Sequence, residues 1–578
     1  MKETGPSGVP EKKGEVVEKI TSGDIENTHV PIHLNGLVYL PSPISGPYTF
    51  SRIGKIFSRQ PWFEELSLSE KDFRSGLEEI ENDGDIFIKS DFSGSLPKDE
   101  ESLHEELGKR LVDLYTYYKI SNKGQDPTWF KGLDPETQKF LSFESIWSRH
   151  HDFPPVFRFA PMLYAGINCF AIEDVEKYED LDRTFNLFRL TMIKQFGYKQ
   201  DPLTAQLEKR QRINSFNHQR YRHVFSVLAL ANLMGSNLGL SPEDLEILQI
   251  AAVTHDYRTP AGGDTTKNFV DPELFDEDLH YNEIFQTEEW KKFVEKYGIS
   301  KEREDKLYRT VLGEGILGKL LDIADKTTYV SGDADMYLNA PDFQGFFRTG
   351  ENTGGYDEMD NPGFQAIKSI TNADNSVCNI WDSVEIIDGQ VVFTNGTKLA
   401  NFLRLRALMF QNLYWSHYSR FFLETFVGKI TRHLWDQGIL TKEILLEGND
   451  STLNSYLQEF IGLNIFLLPD APKKSEIRSF NNLEEAEEFA RSFDSDVTRI
   501  AIVDDVQTLP DPATKKFLVR KGGEIIPFNE AFPEQAEEIG KIMEAIKMIS
   551  VHVLSFDDLK IPESHRAKVK AIFSNSQN

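Results

Sequence analysis

Four side chains, dispersed over about a hundred residues, have the types that hold a divalent metal: His223, the adjacent pair His255 and Asp256, and Asp325. They stand in the contexts RYRH (220–223), AAVTHD (251–256) and DIADKTTY (322–329). Two imidazoles and two carboxylates suit a divalent ion of intermediate hardness, and Mn, Fe, Mg, Co and Zn all remain open. Neighbouring helical residues point about 100° apart, so His255 and Asp256 reach one ion only from a helix end or kink. Each ligand taken alone is ordinary. A histidine on an apolar helix usually packs, and a helical aspartate is usually solvated. The joint pattern is what points to a metal centre.

These residues need helices to hold them, and the sequence supplies helical patterns from 183 to 340. RTFNLFRLTMIKQFG (183–197) is expected to be one helix ending at Gly197, and HVFSVLALANLMGSNLG a second. SPEDLEILQIAAVTHD opens with Ser241 as an N-cap, then Pro242 and two acids, and carries the His-Asp pair at its far end. ILGKLLDIADKTTYVSGDADMYL is a further helix bearing Asp325. Segment 341–375 is polar and Gly-rich and is expected to be an irregular insertion. SVEIIDGQVVF (383–393) has two β-branched runs around Asp388-Gly389, a hairpin signal. Residues 398–440 return to helix. From 497 onward, VTRIAIVDDVQ, KKFLVRKGGEIIPF and ISVHVLSF are expected as strands interleaved with a helix over 533–549. Upstream, LNGLVYLPSPISGPYTF and GDIFIKSDF have strand character, and residues 101–120 have helical Leu spacing.

The whole reads as mainly α: an all-helical core with a β-hairpin insertion and a small α+β C-terminal lobe. The expected organisation is a disordered tail over 1–28, an N-terminal α+β region of open role over 29–180, a core over 181–450 and a C-terminal lobe over 451–578.

Composition bounds the function. The chain has 578 residues, two cysteines (Cys169 and Cys378) and a formal net charge of -28. That charge argues against nucleic acid as the main partner, because such binders need basic surface. It leaves room for a small anion in a locally basic pocket. Two cysteines make no disulfide framework, so reduced thiols and a cytoplasmic location are expected. No stretch approaches a membrane span, and the polar N-terminus lacks the apolar core of a secretory signal.

The ligand order resembles the HD superfamily of metal-dependent phosphohydrolases, and within it the dNTP triphosphohydrolases. Matching stretches run from about 183 to 445. RLTMIKQFG (189–197) looks like that family's RLRxIKQLG, RYRH its RFEH, and ADKTTYVSGD (324–333) its DKxxYxxxD run. NLYWSHYSR (412–420), following the hairpin, is similar to its NLYxxxxxR helix. Residues 1–180 show no sterile-alpha-motif signature.

The resemblance implies hydrolysis of deoxynucleoside triphosphates to deoxynucleoside and tripolyphosphate, with one divalent ion per site and a homo-oligomeric assembly. It implies that Gln195 contacts the sugar 3′-hydroxyl and that Phe196 crowds the 2′ position. Arg220, Lys326 and Arg420 would hold the triphosphate, and Tyr329 and Asp333 would line the sugar pocket. One departure stands out. The family follows its His-Asp with Gly-His-x-Pro-Phe-x-His, and this chain has HDYRTPAGGD (255–264), which keeps Pro260 but neither histidine. His280 resembles a later histidine of the family's catalytic segment, and Asp264 is a second candidate acid or base. The departure keeps two alternatives in play: another nucleotide phosphohydrolase, such as a phosphomonoesterase or phosphodiesterase, or a nucleotide-binding sensor or scaffold without turnover.

Overall fold

The computed structural model describes residues 32–35, 37–41, 156–158, 167–172, 175–193, 220–339, 362–373, 380–414, 424–463, 476–506 and 514–574. Within them the chain is mainly α, with three small sheets. The expected helix over 101–120 and strand in GDIFIKSDF lie outside the described residues, as does Cys378.

Two short strands, β1 (Ile32–Leu34) and β2 (Leu37–Pro41), form a tight hairpin. They join β3 (Val156–Arg158) and β4 (Ile167–Ile172) in an antiparallel sheet of order β1-β2-β4-β3. Helix α1 (Val175–Phe185) follows. The single helix expected over 183–197 is not formed. Asn186 takes a left-handed conformation (φ 51°), the chain breaks there, and a 3₁₀ turn covers Leu187–Met192. A short polar side chain tolerates that geometry at low cost.

Helices α2 (Arg220–Asn237) and α3 (Pro242–Thr254) form the centre of the molecule. In α2, Val224, Phe225, Val227, Leu228, Leu230 and Leu233 are all buried, the composition of a helix enclosed on every side. The start of α3 follows the sequence signal: Ser241 Oγ accepts from the Asp244 amide at 3.1 Å, and Pro242 occupies the first turn. Its end falls at Thr254, so His255 is the C-cap and Asp256 leaves the helix. This is the helix end that the adjacent ligand pair requires.

Then come α4 (Gly263–Phe269), α5 (Glu288–Tyr297), α6 (Lys301–Val311) and the long α7 (Gly315–Asn339). Both α2 and α3 pack against α7. Within the expected irregular insertion over 341–375, residues 362–373 are instead a helix, α8 (Pro362–Ala373), whose Ile367 and Ile370 are buried. Pro362 at its start accommodates a helix, because the first turn needs no amide donor there.

The hairpin of β5 (Val384–Ile387) and β6 (Gln390–Phe393) turns at Asp388 (φ 50°) and Gly389 (φ 74°), the paired left-handed residues of a two-residue loop. Helix α9 (Gly396–Met409) runs into a π-helical turn at Phe410–Tyr414. Next are α10 (Phe426–Asp436), α11 (Lys442–Glu447), α12 (Asp450–Ile461), β7 (Glu476–Phe480), α13 (Leu483–Arg491) and β8 (Arg499–Val506). The chain finishes with β9 (Leu518–Lys521), β10 (Glu524–Pro527), α14 (Phe528–Ala531), α15 (Pro533–Glu544), β11 (Met548–Ser555) and α16 (Glu563–Ser574). The helix expected over 533–549 therefore stops at Glu544, and β11 begins at Met548.

The C-terminal strands divide between two sheets. β7, β11 and β8 form one antiparallel sheet with β11 in the middle. The β9–β10 ribbon instead pairs with the earlier hairpin, β6 lying parallel to β9, in the order β10-β9-β6-β5. The buried apolar residues divide in the same way. One cluster spans α2, α3, α7 and α9 and takes in Phe517, Val519, Phe528, Ile539 and Met543. Another joins α10 and α12 to β8, β11 and α16. Among the described residues, no helix is long and apolar enough to cross a membrane.

Candidate metal centre

Three helices bring the expected ligands together. His223 lies one turn into α2, His255 and Asp256 follow the end of α3, and Asp325 is on α7. Ligand atoms of His223, His255 and Asp256 lie within 4.8 Å of one another, and all three residues are buried. Asp325 completes the group: its Oδ1 is 2.9 Å from His223 Nε2 and 3.8 Å from His255 Nε2. His255 Nε2 is 3.7 Å from Asp256 Oδ1. Nitrogen and oxygen donors sit about 2.0–2.2 Å from a transition ion, so donors sharing one ion lie roughly 3–4.4 Å apart. The spacing and the mixed imidazole–carboxylate set both fit one divalent ion.

The tautomer of His255 is fixed by its surroundings. Its Nδ1 is 2.9 Å from the Ala252 carbonyl, which only accepts, so Nδ1 carries the proton and donates. The lone pair is left on Nε2, which faces the other ligands. Burial opposes charge on this ring, but the carboxylates of Asp256 and Asp325 outweigh it and raise its pKa. Burial likewise works against charge on Asp256. The Arg220 guanidinium and the two imidazoles prevail and hold that carboxyl well below the usual range. Asp325 is also lowered: burial opposes its charge and the His223 hydrogen bond favours it.

Arg220, one turn before His223, is buried and bridges two acids. Its Nη1 donates to Asp256 Oδ2 at 2.9 Å and its Nη2 to Asp264 Oδ1 at 2.8 Å. The HDYRTPAGGD segment supplies the second of these. Gly262 (φ 81°) and Gly263 (φ 53°) both occupy the left-handed region, which turns the chain into α4 and puts Asp264 in its first turn. The turn is anchored by the Gly262 amide donating to Asp450 Oδ1 at 2.8 Å and the Ala261 amide to the Leu445 carbonyl at 2.8 Å.

The remaining expected site residues take distinct places. Lys326 follows Asp325 on α7 and pairs with Asp322 one turn earlier. Tyr329 is on the same helix, and its hydroxyl accepts from Arg406 Nε at 2.7 Å. Asp333 is also on α7, with its side chain outside the described set. Gln195, Phe196 and Arg420 lie outside the described residues. His280 is partly exposed. Its Nδ1 is 3.1 Å from Glu283 Oε1 and its Nε2 3.2 Å from the Glu273 carbonyl. Glu283 also accepts from Arg258 Nη1 at 2.5 Å, which ties His280 to the segment after the His-Asp pair.

Three groups that were not among the expected site residues also lie around the site. Arg189 is buried and donates to the carbonyls of Tyr257 (2.8 Å), Thr259 (2.9 Å) and Gly448 (3.0 Å), clamping the strand of chain that follows Asp256. Lys267 and Glu277 form a 2.8 Å ion pair, and the Glu277 carboxylate acts electrostatically on Arg220 and Asp256. Burial raises the Glu277 carboxyl despite that lysine. Arg406, on α9, orients Tyr329. Arg189 sits inside RLTMIKQFG, the one signal that pointed to it. The Lys267–Glu277 pair and Arg406 are brought in by tertiary packing alone.

No protein-family model matches the sequence, and no curated protein matches it. Among solved structures, the chain is similar to a hypothetical protein from Aquifex aeolicus (17% identity, TM-score 0.44, covering 72% of this chain and 99% of that one). It is also similar to a phosphohydrolase from Bacteroides thetaiotaomicron (14% identity, TM-score 0.43, covering 65% and 94%). Likenesses this distant leave the functional reading to the residues themselves.

Proposed function

We propose that the protein is a metal-dependent phosphohydrolase of the HD type that cleaves deoxynucleoside triphosphates into deoxynucleoside and tripolyphosphate. The observation that carries this reading is the convergence of His223, His255, Asp256 and Asp325 from three separate helices, with spacing suited to one ion. When bound there, a divalent ion supplies Lewis acidity toward a phosphate oxygen and lowers the pKa of a bound water. His255 is presented by the Ala252 carbonyl in the tautomer that coordination needs.

Arg220 has two parts in this reading. Its bond to Asp256 keeps that ligand ionised and oriented. Its second bond, to the partly exposed Asp264, holds the guanidinium toward the site until a phosphate oxygen takes the place of the aspartate. Lys326 and Arg420 supply further positive charge to the polyphosphate, with Gln195, Phe196, Tyr329 and Asp333 around the sugar. Water attacks the α-phosphorus and the bond from phosphorus to the 5′-oxygen breaks. Asp264, once released from Arg220, takes a proton from the attacking water, and the departing nucleoside oxygen takes one from His280 or from the Asp264 so protonated.

The test is incubation of the Mn-loaded protein with each dNTP and rNTP, with products resolved by anion exchange. Deoxynucleoside and tripolyphosphate, both lost in His255→Ala and in Asp256→Ala, are the expected products. Mono- or diphosphates would replace this chemistry with that of a different nucleotide phosphohydrolase. Absence of turnover, with nucleotide still raising the melting temperature, would make the protein a nucleotide sensor.

A further inference from the structure

Asp264 and Lys267 are three residues apart on α4, one turn along the same helix face, where side chains are neighbours. Each is engaged in a different ion pair. Asp264 Oδ1 accepts from Arg220 Nη2 at 2.8 Å. Lys267 Nζ donates to Glu277 Oε2 at 2.8 Å and lies 3.5 Å from Asp276 Oδ2. The two pairs also act on one another: Asp264 and Glu277 both influence Arg220, and Asp264 influences Lys267. Burial opposes the charge on Lys267, but Glu277, Asp276 and Asp264 prevail and keep its pKa above the usual lysine range. Asp264 thus stands between two cations and is hydrogen-bonded to one of them.

Of these groups, Asp264 is the one built to move. Arg220 is buried and is held by its second bond, to Asp256 at 2.9 Å. The backbone of α4 is anchored by the Gly262 amide on Asp450 and by the Thr266 hydroxyl, which donates to the Ala261 carbonyl at 2.5 Å. The Asp264 side chain is 39% exposed and has only two torsions, so it changes rotamer at little cost. A dianion bonded to Arg220 stands beside that carboxylate, and like charges at such range repel. The carboxylate then leaves, and Lys267 is the cation on its own helix. An ammonium has three N–H donors, enough for Glu277, Asp276 and Asp264 together. After the exchange every charge is still answered: Arg220 by the dianion, and Asp264 by Lys267.

We propose that Lys267 is a positioning residue that receives the Asp264 carboxylate when a tetrahedral dianion displaces it from Arg220. This rests on the reading above in which a phosphate oxygen takes the place of the aspartate. The test measures binding of sulfate, a dianion that is not hydrolysed, to the Mn-loaded full chain by calorimetry at constant ionic strength. Asp264→Asn removes the competing carboxylate and is expected to tighten binding by about threefold or more, and Lys267→Gln to weaken it by about threefold, the scale of a partly exposed ion pair. Lys267→Arg should restore the wild-type affinity. In the Asp264→Asn background, Lys267→Gln should change affinity by less than about 1.5-fold, because no carboxylate is left to receive. Simple loss of a nearby positive charge weakens binding equally in both backgrounds, so equal effects overturn the proposal. Wild-type crystals grown in sulfate make the test independent of variant folding. They should show sulfate on Arg220 and Asp264 turned to hydrogen-bonding distance of Lys267. Sulfate on Arg220 with Asp264 unmoved or turned to solvent overturns the handover alone. Sulfate absent from Arg220 overturns it together with the part of Arg220 in the proposed function.

Discussion

Arg220 shows how much rests on single contacts at this centre. Its guanidinium compensates Asp256, a buried carboxylate that nothing else of formal full positive charge touches at hydrogen-bond distance among the bonds described here. Removing one partner of a buried pair strands the other and costs about 3–5 kcal/mol. Arg220→Met is therefore expected to lower the unfolding free energy of the metal-free protein by about that amount, read from urea denaturation. The sign of the pH dependence follows. Asp256 has a depressed folded pKa, so its contribution is fully present above the ordinary carboxylate value and is lost progressively as pH falls from there through the lower folded pKa. Wild-type stability should drop steeply in acid, and the drop should be shallower in Arg220→Met.

Metal uptake has the opposite proton bookkeeping. Each candidate imidazole must offer an unprotonated nitrogen to an ion, and the pKa of His255 is raised, so at His255 the ion competes with a proton. Apparent Mn affinity, measured by calorimetry in buffers of different ionisation enthalpy, is expected to rise with pH up to and through the raised His255 pKa. An affinity that is flat over that range would mean these imidazoles are not the ligands. Of the residues involved, the four candidate ligands and Arg220 each sit in a short, chemically marked context that the sequence displays, and the fold brings them side by side. Arg189 and the Lys267–Glu277 pair were not expected there, since a guanidinium that bonds three distant carbonyls leaves no local pattern.

At the scale of elements, α4 links what the HDYRTPAGGD departure does to the surrounding packing. Its first turn offers Asp264 to Arg220, and its last residue, Phe269, packs flat against Gly428 of α10. A Cβ added at Gly428 would lie 2.3 Å from the Phe269 ring, closer than any real contact. Gly428→Ala must therefore move α4 or α10, at a cost of roughly 1–3 kcal/mol. The expected outcome is a lowered melting temperature together with a changed turnover rate, while Gly540→Ala, which meets nothing inside α15, leaves the rate unaltered and raises the melting temperature, as alanine in place of glycine does within a helix. An unchanged rate in Gly428→Ala with the stability loss present would show that Asp264 does not depend on the position of α4. The elements themselves were legible where local chemistry decides them: the Ser241-Pro242 start of α3 and the Asp388-Gly389 turn. They were misjudged where a single residue overrides a periodic pattern, as Asn186 does after α1, or where packing recruits a polar stretch, as for α8.

The whole molecule is tied together by a ribbon that the sequence placed with the C-terminal lobe. β9 and β10 pair with β6, and Phe517, Val519, Phe528, Ile539, Met543 and Ile546 are buried in the cluster that also contains α2, α3 and α7. Long-range parallel pairing such as β6 with β9 has no local signature, because partners over a hundred residues apart are chosen by tertiary fit. The energetic consequence is large. Burial of side chains of this size stabilises by about 1.5–3 kcal/mol each. Together these six amount to roughly 10 kcal/mol or more, comparable to the whole margin of about 5–15 kcal/mol by which a domain is stable. A chain ending at Val506 keeps every metal ligand and every helix that bears one, yet it leaves this apolar face of the core uncovered. Such a truncation is expected to be aggregation-prone, to lack a cooperative thermal transition and to bind Mn at least about tenfold more weakly than the full chain. Cooperative unfolding and unaltered Mn affinity in the truncated protein would instead mean that α2, α3 and α7 form a self-sufficient core, with the ribbon as a late addition to its surface.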